Sequence, residues 1–206
     1  MLSGQVYVAP SPGVFVCRAA IGADGMPTAI TSRTVGEGPL GRYFGLTPDS
    51  SAVEGITEKP YAVPNRSMEY LKLPHPVNIA FWRSVGHSMN DFFYEGFLDE
   101  IAGAGGRDPF ELRKALLAHS ARHLTLLDEV AKISGGWKRG PYEVDGAKRA
   151  RGLAMASPFG SETATIAEVS LQDGATKVHN VWVAFDPGSV VNPAIVKAQV
   201  ESAVAL

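Results

Sequence analysis

The chain has 206 residues, 45% of them hydrophobic and 19% charged, which is enough for one ordinary domain or two small ones and rules out a disordered chain. Its 19 basic and 21 acidic side chains leave a formal charge of −2, so neither a nucleic-acid partner nor an anionic membrane has an electrostatic claim on it. A single cysteine, Cys17, excludes an intrachain disulfide, an iron–sulfur cluster and a thiolate zinc site.

Beside Val14-Phe15-Val16, Cys17 reads as a buried small hydrophobe rather than a nucleophile. No stretch approaches the roughly 20 apolar residues of a transmembrane segment. The first arginine is at position 18, so no basic leader region is expected. The 22 glycines and 14 prolines come without a repeat period and predict many turns.

The first part of the chain reads as strands and loops. Gly4 to Ala9 alternates apolar and polar, Val14 to Ile21 is an apolar run, and Asp24-Gly25 is a turn signal before a third strand at Ile30 to Val35. Gly36 to Ser51 reads as loop. Val63 to Leu73 alternates weakly, and Val77 to Trp82 is short and apolar, as a central strand would be.

The middle reads as helical. Asn90 to Ala102 places Phe93, Phe97, Leu98 and Ile101 on one face, and Gly103, Gly105 and Gly106 end the helix. Asp108 is a good N-cap, Pro109 fits the first helical position, and Glu111 completes a capping-box spacing. Phe110, Leu112, Leu116 and Leu117 form the buried side of that helix. A third helix over about Arg122 to Ile133 turns Leu124, Leu127, Val130 and Ala131 inward and closes at Ser134-Gly135-Gly136.

Strands return at Ala150 to Ser157, Thr163 to Leu171 and Lys177 to Phe185, with a hairpin signal at Asp173-Gly174. Asn192-Pro193 then opens a helix with Ile195, Val196, Val200 and Val204 on one side. That helix has neither a closing glycine nor a basic last turn, so the natural sequence is expected to continue past Leu206. The expected segments are a strand-rich 1–82, a helical 83–135 with an Arg83 loop, and a 150–206 hairpin plus truncated C-terminal helix. They form one compact domain or two small lobes.

Few residues announce chemistry. His119 and His123 have the i, i+4 spacing of metal ligands on one helix face, but lack a third ligand and read as helix surface. Asp99 and Glu100 are adjacent and would diverge by about 100° on a helix. The glycines at 103–106 lack the lysine of a phosphate loop. Three places are unusual for pure packing. In Phe81 to Ser88 an apolar run opens straight into Arg, Ser, Gly, His and Ser, which suits an anion or a multi-oxygen ligand. Asp186-Pro187-Gly188-Ser189 is a turn feeding Asn192-Pro193. Gln199 and Glu201 sit on an otherwise apolar helix, where polar residues usually take the exposed face.

Taken in order, these motifs resemble a known family. Arg83-Ser84-Val85-Gly86-His87-Ser88, Gly106-Arg107-Asp108-Pro109-Phe110-Glu111-Leu112-Arg113, Ile166-Ala167-Glu168-Val169, Phe185-Asp186-Pro187-Gly188-Ser189-Val190-Val191-Asn192-Pro193 and Gln199-Val200-Glu201 look like the molybdenum-binding large subunit of the xanthine dehydrogenase/aldehyde oxidase family. The form WRSVGHS, with Tyr61-Ala62-Val63-Pro64-Asn65 upstream, is closest to the isoquinoline 1-oxidoreductase beta-subunit branch, which also includes membrane-bound aldehyde dehydrogenase large subunits. The resemblance covers roughly residues 20 to 206.

The resemblance implies an α+β fold, with mixed or antiparallel sheets and three or four packed helices. It implies a molybdopterin cytosine dinucleotide site in the parent subunit, with Arg83, Ser84, Val85 and Gly86 lining the pocket and Gln199 hydrogen-bonding the pterin, a reason for it to face inward. The substrate-facing wall would differ from the family's, which often has an aromatic at Val85 and Gly-Pro-Gln at His87-Ser88-Met89. No metal ligand comes from this chain, and the general-base glutamate is expected beyond Leu206, so neither Glu168 nor Glu201 takes that role.

The implied parent oxidises aldehydes or N-heterocycles with water as oxygen source and passes electrons to a 2Fe-2S small subunit. Alone, the chain is expected to be inactive and cofactor-free. Its partners would be the missing segments of its own subunit, or a second copy through exposed apolar surface. The compartment stays open between cytoplasm and periplasm. The alternatives are a structural fragment that binds no cofactor, and an independent small ligand-binding protein.

Overall fold

The computed structural model describes residues 13–205, so the strand read at Gly4 to Ala9 lies outside them. The chain forms two compact units. Among the described residues, one takes 13–59 and 63–106, the other 60–62 and 107–205. The helical stretch 83–135 is therefore divided between them.

In the first unit β1 (Gly13–Ile21) and β2 (Pro27–Gly36) form an antiparallel hairpin, and β3 (Asn65–Lys72) pairs with β2 in parallel. Asp24 closes the hairpin by accepting from the Met26 N–H at 3.0 Å. Two short helices, α1 (Pro39–Phe44) and α2 (Ser50–Val53), occupy the segment that reads as loop. They are too short to show a period. Buried Asp49 orders them, accepting from Gly38 N–H at 2.8 Å and from the Ser51 hydroxyl.

The strand expected at Val77 to Trp82 does not form; only Ile79 makes an isolated bridge. Side chains take the carbonyls that a neighbouring strand would need. Arg42 donates to Val77 O at 2.7 Å and also to His75 O, and the Tyr43 hydroxyl donates to Ile79 O.

α3 (His87–Ala104) starts three residues before the expected Asn90. Its buried stripe is His87, Asn90, Tyr94, Leu98 and Ile101, with Glu95 and Ala102. Phe93 and Phe97 are only half-buried, and Phe93 stacks on Phe15 of β1 with ring centroids 5.5 Å apart. The stripe is rotated because three polar side chains are inside, and an apolar count does not see them.

In the second unit α4 (Pro109–Leu116) and α5 (Ala121–Ile133) precede an antiparallel sheet ordered β4 (Tyr142–Val144), β5 (Ala147–Ala156), β6 (Glu162–Gln172) and β7 (Ala175–Asp186), followed by α6 (Pro193–Ala205). Residues 162, 164, 166, 168 and 170 of β6 are all buried, and α5 packs against β6 and β7. Asp173 (φ 51) and Gly174 (φ 81) make the expected hairpin turn. α5 buries His123, Leu126, Leu127 and Val130, whereas Leu124 and Ala131 are half-buried. α4 ends at Leu116, so His119 lies in the turn before α5 and does not share a helix face with His123.

Mixed and antiparallel sheets with helices make this the expected α+β fold. Among the described residues there are six α-helices rather than three or four, and none is long and apolar enough to cross a membrane.

Asp108 caps α4, accepting from Phe110 N–H at 2.8 Å and Glu111 N–H at 3.2 Å, and it also takes the Trp137 indole N–H at 3.0 Å. Phe110 stacks on Trp137 at 5.8 Å. Asp108→Ala is expected to cost about 1–2 kcal/mol in urea unfolding, with Asp108→Asn much milder. Equal losses in the two variants would count against the cap.

Candidate functional site

The unusual turn at Arg83 lies in the first unit. Arg83 is exposed, Ser84 and Val85 are half-buried, and Gly86 is buried. Val85 N–H donates to Trp82 O at 3.0 Å and His87 N–H to Ser84 O at 3.0 Å. The two serine hydroxyls, Ser84 and Ser88, are hydrogen-bonded to each other. Val85 adopts φ 49, the left-handed region, where a β-branched side chain is strained. Such a conformation costs on the order of 1–3 kcal/mol and persists only where the surroundings impose it.

The surroundings do impose it. A Cβ on Gly86 would lie 2.7 Å from Ser51 O and 3.0 Å from Glu54 O, so only glycine allows this approach. Fully buried Asn90 donates to Ala52 O at 3.0 Å and Glu54 O at 2.8 Å, tying α3 to the same segment. The glycine thus serves the close packing of this turn on the α2 segment. The strand that was to present Arg83 is absent, and the α2–α3 contact presents it instead.

Behind the turn runs a chain of charges that leads from exposed Glu58 to buried Lys59 and Glu95. His87 donates through Nε2 to Glu58 at 3.1 Å and through Nδ1 to Asp91 at 3.0 Å. The Lys59 ammonium lies 2.9 Å from Asp91 and 2.8 Å from Glu95. Burial pulls the His87 imidazole down, but hydrogen bonds to Asp91 and Glu58 outweigh it and raise the pKa to about 9. Burial pushes Glu58 up, and hydrogen bonds from His87, Thr57 and the Gly55 N–H bring it down to about 2. Burial lowers Lys59, and Glu95 and Asp91 more than restore it.

His87 is 5% exposed and turned inward, so it does not form a substrate-facing wall. Sequence reading missed Lys59, Glu58, Asp91 and Glu95; the i, i+4, i+8 spacing of His87, Asp91 and Glu95 on one helix face was a signal for half of them, and Glu58 and Lys59 reach that face from a distant segment.

A raised histidine pKa stabilises the fold below the unfolded value, and that stabilisation is lost as pH rises through the folded value. Urea midpoints are therefore expected to fall between pH 6.5 and about 9. In His87→Gln this fall should flatten. An unchanged slope in the variant would remove His87 as its source.

The other predicted residues lie in the second unit. Asp186 accepts from Gly188 N–H at 2.8 Å and from Arg122 Nε of α5 at 2.7 Å, fixing the turn after β7. His123 reaches Glu162 of β6 at 3.0 Å beside it. Asn192 caps α6, accepting from Ala194 N–H at 3.0 Å and Ile195 N–H at 3.3 Å. No residue of α6 is buried, and Gln199 is exposed, so neither the expected apolar face nor the inward glutamine is realised within this unit. Glu201 is exposed, 3.7 Å from Lys197.

Glu168 of β6 is buried among donors: Arg149 at 2.7 Å, Asn180 at 3.1 Å, Arg151 at 3.4 Å and the Tyr142 hydroxyl. The Tyr142 hydrogen bond leads in lowering its pKa to about 2, followed by Arg149, Asn180 and Arg151 against the effect of burial. Among the described residues no group of three or more His, Cys, Asp or Glu could hold a metal ion.

Residues 113–206 match the family model of the molybdopterin cofactor-binding domain. Over 146 residues the chain is 32% identical to isoquinoline 1-oxidoreductase subunit beta of Brevundimonas diminuta, which covers 70% of this chain and 18% of that protein. Aldehyde oxidoreductase from Desulfovibrio gigas aligns in structure with 83% of this chain and 21% of its own, at 18% identity and a TM-score of 0.47. Quinoline 2-oxidoreductase from Pseudomonas putida 86 aligns with 81% of this chain and 26% of its own, at 18% identity and a TM-score of 0.43. The chain thus spans about a fifth of the length of these proteins.

Proposed function

We propose, with residues 113–206 belonging to the molybdopterin cofactor-binding domain family, that the chain is a portion of the large subunit of a hydroxylating oxidoreductase. The family match carries this reading. We further assign the cofactor its cytosine dinucleotide form and the whole protein an iron–sulfur partner subunit. The proposed substrates are aldehydes or N-heterocycles, the chemistry named for the relatives.

Arg83, Ser84, Val85 and Gly86 in the first unit and, independently, Gln199 in the second are proposed to contact the cofactor. Their donor chemistry fits. Arg83 offers an exposed guanidinium with five N–H groups, and Ser84 a hydroxyl that can donate or accept. The Gln199 amide can do both at once, as a pterin edge requires. When bound, the cofactor supplies two-electron oxidation of substrate with water as the oxygen source. The strained Val85 turn holds Arg83 and Ser84 in place before any ligand arrives, which lowers the ordering cost of binding. Glu168, with four donors already on its carboxylate, is not available as a general base.

The test is Val85→Gly. Relief of strain is expected to raise stability by up to about 1 kcal/mol. Molybdenum and pterin retention, measured by elemental mass spectrometry and fluorescence after oxidation, should fall in the same variant of the whole subunit. Greater stability with unchanged retention would leave the turn outside the cofactor site.

A further inference from the structure

We propose that the first unit carries a binding site for a small carboxylate, independent of the molybdopterin reading. A cavity of about 270 Å³ opens between the inner face of β2 and β3 and Tyr94 of α3. In the parallel register Ile30 is paired with Arg66 and Ser32 with Met68, and all four side chains line the cavity. Ile30, Ile56 and Tyr94 are each no more than 3% exposed and make an apolar floor. Ser32, 6% exposed, adds a hydroxyl to that floor.

Arg66 is the cation of this cleft, and no acidic residue lines it. Its Nη1 donates to Lys59 O at 2.8 Å and the guanidinium also engages the Tyr94 hydroxyl, which fixes it and leaves the rest of its five N–H groups for a ligand. Its charge acts on the Tyr94 hydroxyl. Among the described residues no carboxylate is ion-paired with Arg66. Arg33, Arg42, Arg122, Arg149 and Arg151 each have one. Nearby Lys59 contributes no spare charge, because Glu95 and Asp91 neutralise it.

An anchored guanidinium fork beside hydroxyls, above an apolar floor, matches a carboxylate with a short alkyl chain. The fork takes both oxygens and the floor takes the chain. The volume accommodates a carboxylate with a short alkyl chain. The cavity shares no lining residue with the Arg83 turn.

The experiment is an NMR titration of the 206-residue protein with sodium propionate at constant ionic strength, with neutral propionamide as control. Saturable amide shifts confined to β2, β3 and the Tyr94 region are expected with propionate and not with propionamide. Arg66→Gln should weaken binding about tenfold or more. Arg66→Lys, which keeps the charge and loses the fork, should weaken it less and carries the test if Arg66→Gln fails to fold. Absence of saturable shifts, equal binding of propionamide, or full affinity in a folded Arg66 variant would each overturn the proposal.

Discussion

Lys59→Met is expected to destabilise the protein by about 3–5 kcal/mol, the cost of stranding a buried charge. Lys59 is 4% exposed and Glu95 3% exposed, and their charged atoms are 2.8 Å apart. Methionine fills most of the lysine's volume, so little of the loss is a packing defect. What remains is the Glu95 carboxylate deprived of the ammonium that lay 2.8 Å from it. Asp91 keeps its hydrogen bond to His87 and is less affected.

The double variant Lys59→Met/Glu95→Leu should recover part of the loss, because the Glu95 charge is removed together with the ammonium that faced it, while Asp91 still loses its contact with Lys59. Urea unfolding of both variants at pH 7 decides it. A single-variant loss below about 1 kcal/mol would mean that water reaches the pair.

The same residues show how much was legible in the sequence. Elements with a strong local signal were readable: the Asp24-Gly25 and Asp173-Gly174 turns, the Asp108-Pro109 cap, and a strand at Thr163 to Leu171. Long-range side-chain contacts were not. Val77 to Trp82 has strand composition, but Arg42 and Tyr43, more than 30 residues upstream, take its carbonyls. His87, Asn90 and Glu95 turn inward because Glu58, Lys59 and the carbonyls of 52 and 54 meet them there.

The candidate site followed the same division. The Arg83–Gly86 motif was visible as an oddity and as a family resemblance, whereas the reason for its glycine was not. That reason is the backbone of Ser51 and Glu54, which only the folded chain brings to it.

Glu168→Gln is expected to cost about 3 kcal/mol or more, because Arg151 loses its carboxylate partner and Arg149 keeps only Asp145 at 4.0 Å. The carboxylate gathers Tyr142 of β4, Arg149 and Arg151 of β5, and Asn180 of β7. It therefore joins all four strands at one point. A glutamine offers one acceptor oxygen and turns an N–H₂ toward groups that are themselves donors. The short strand β4, held by three residue pairs, should loosen first and show faster amide exchange. Arg151, stacked over Trp182 at 4.6 Å, should shift and change the tryptophan emission.

The pH dependence has the opposite sense to that of His87. A lowered carboxylate pKa stabilises the fold above the unfolded value, near 4.5, and that stabilisation is lost as pH falls through about 2. In Glu168→Gln the acid limb should therefore flatten while the alkaline limb from His87 persists. A glutamate that acted on substrate would behave differently, losing turnover in the glutamine variant with stability intact. A fully stable Glu168→Gln would return this residue to the candidates for catalysis, and a destabilised one with β4 frayed fixes its role in holding the sheet.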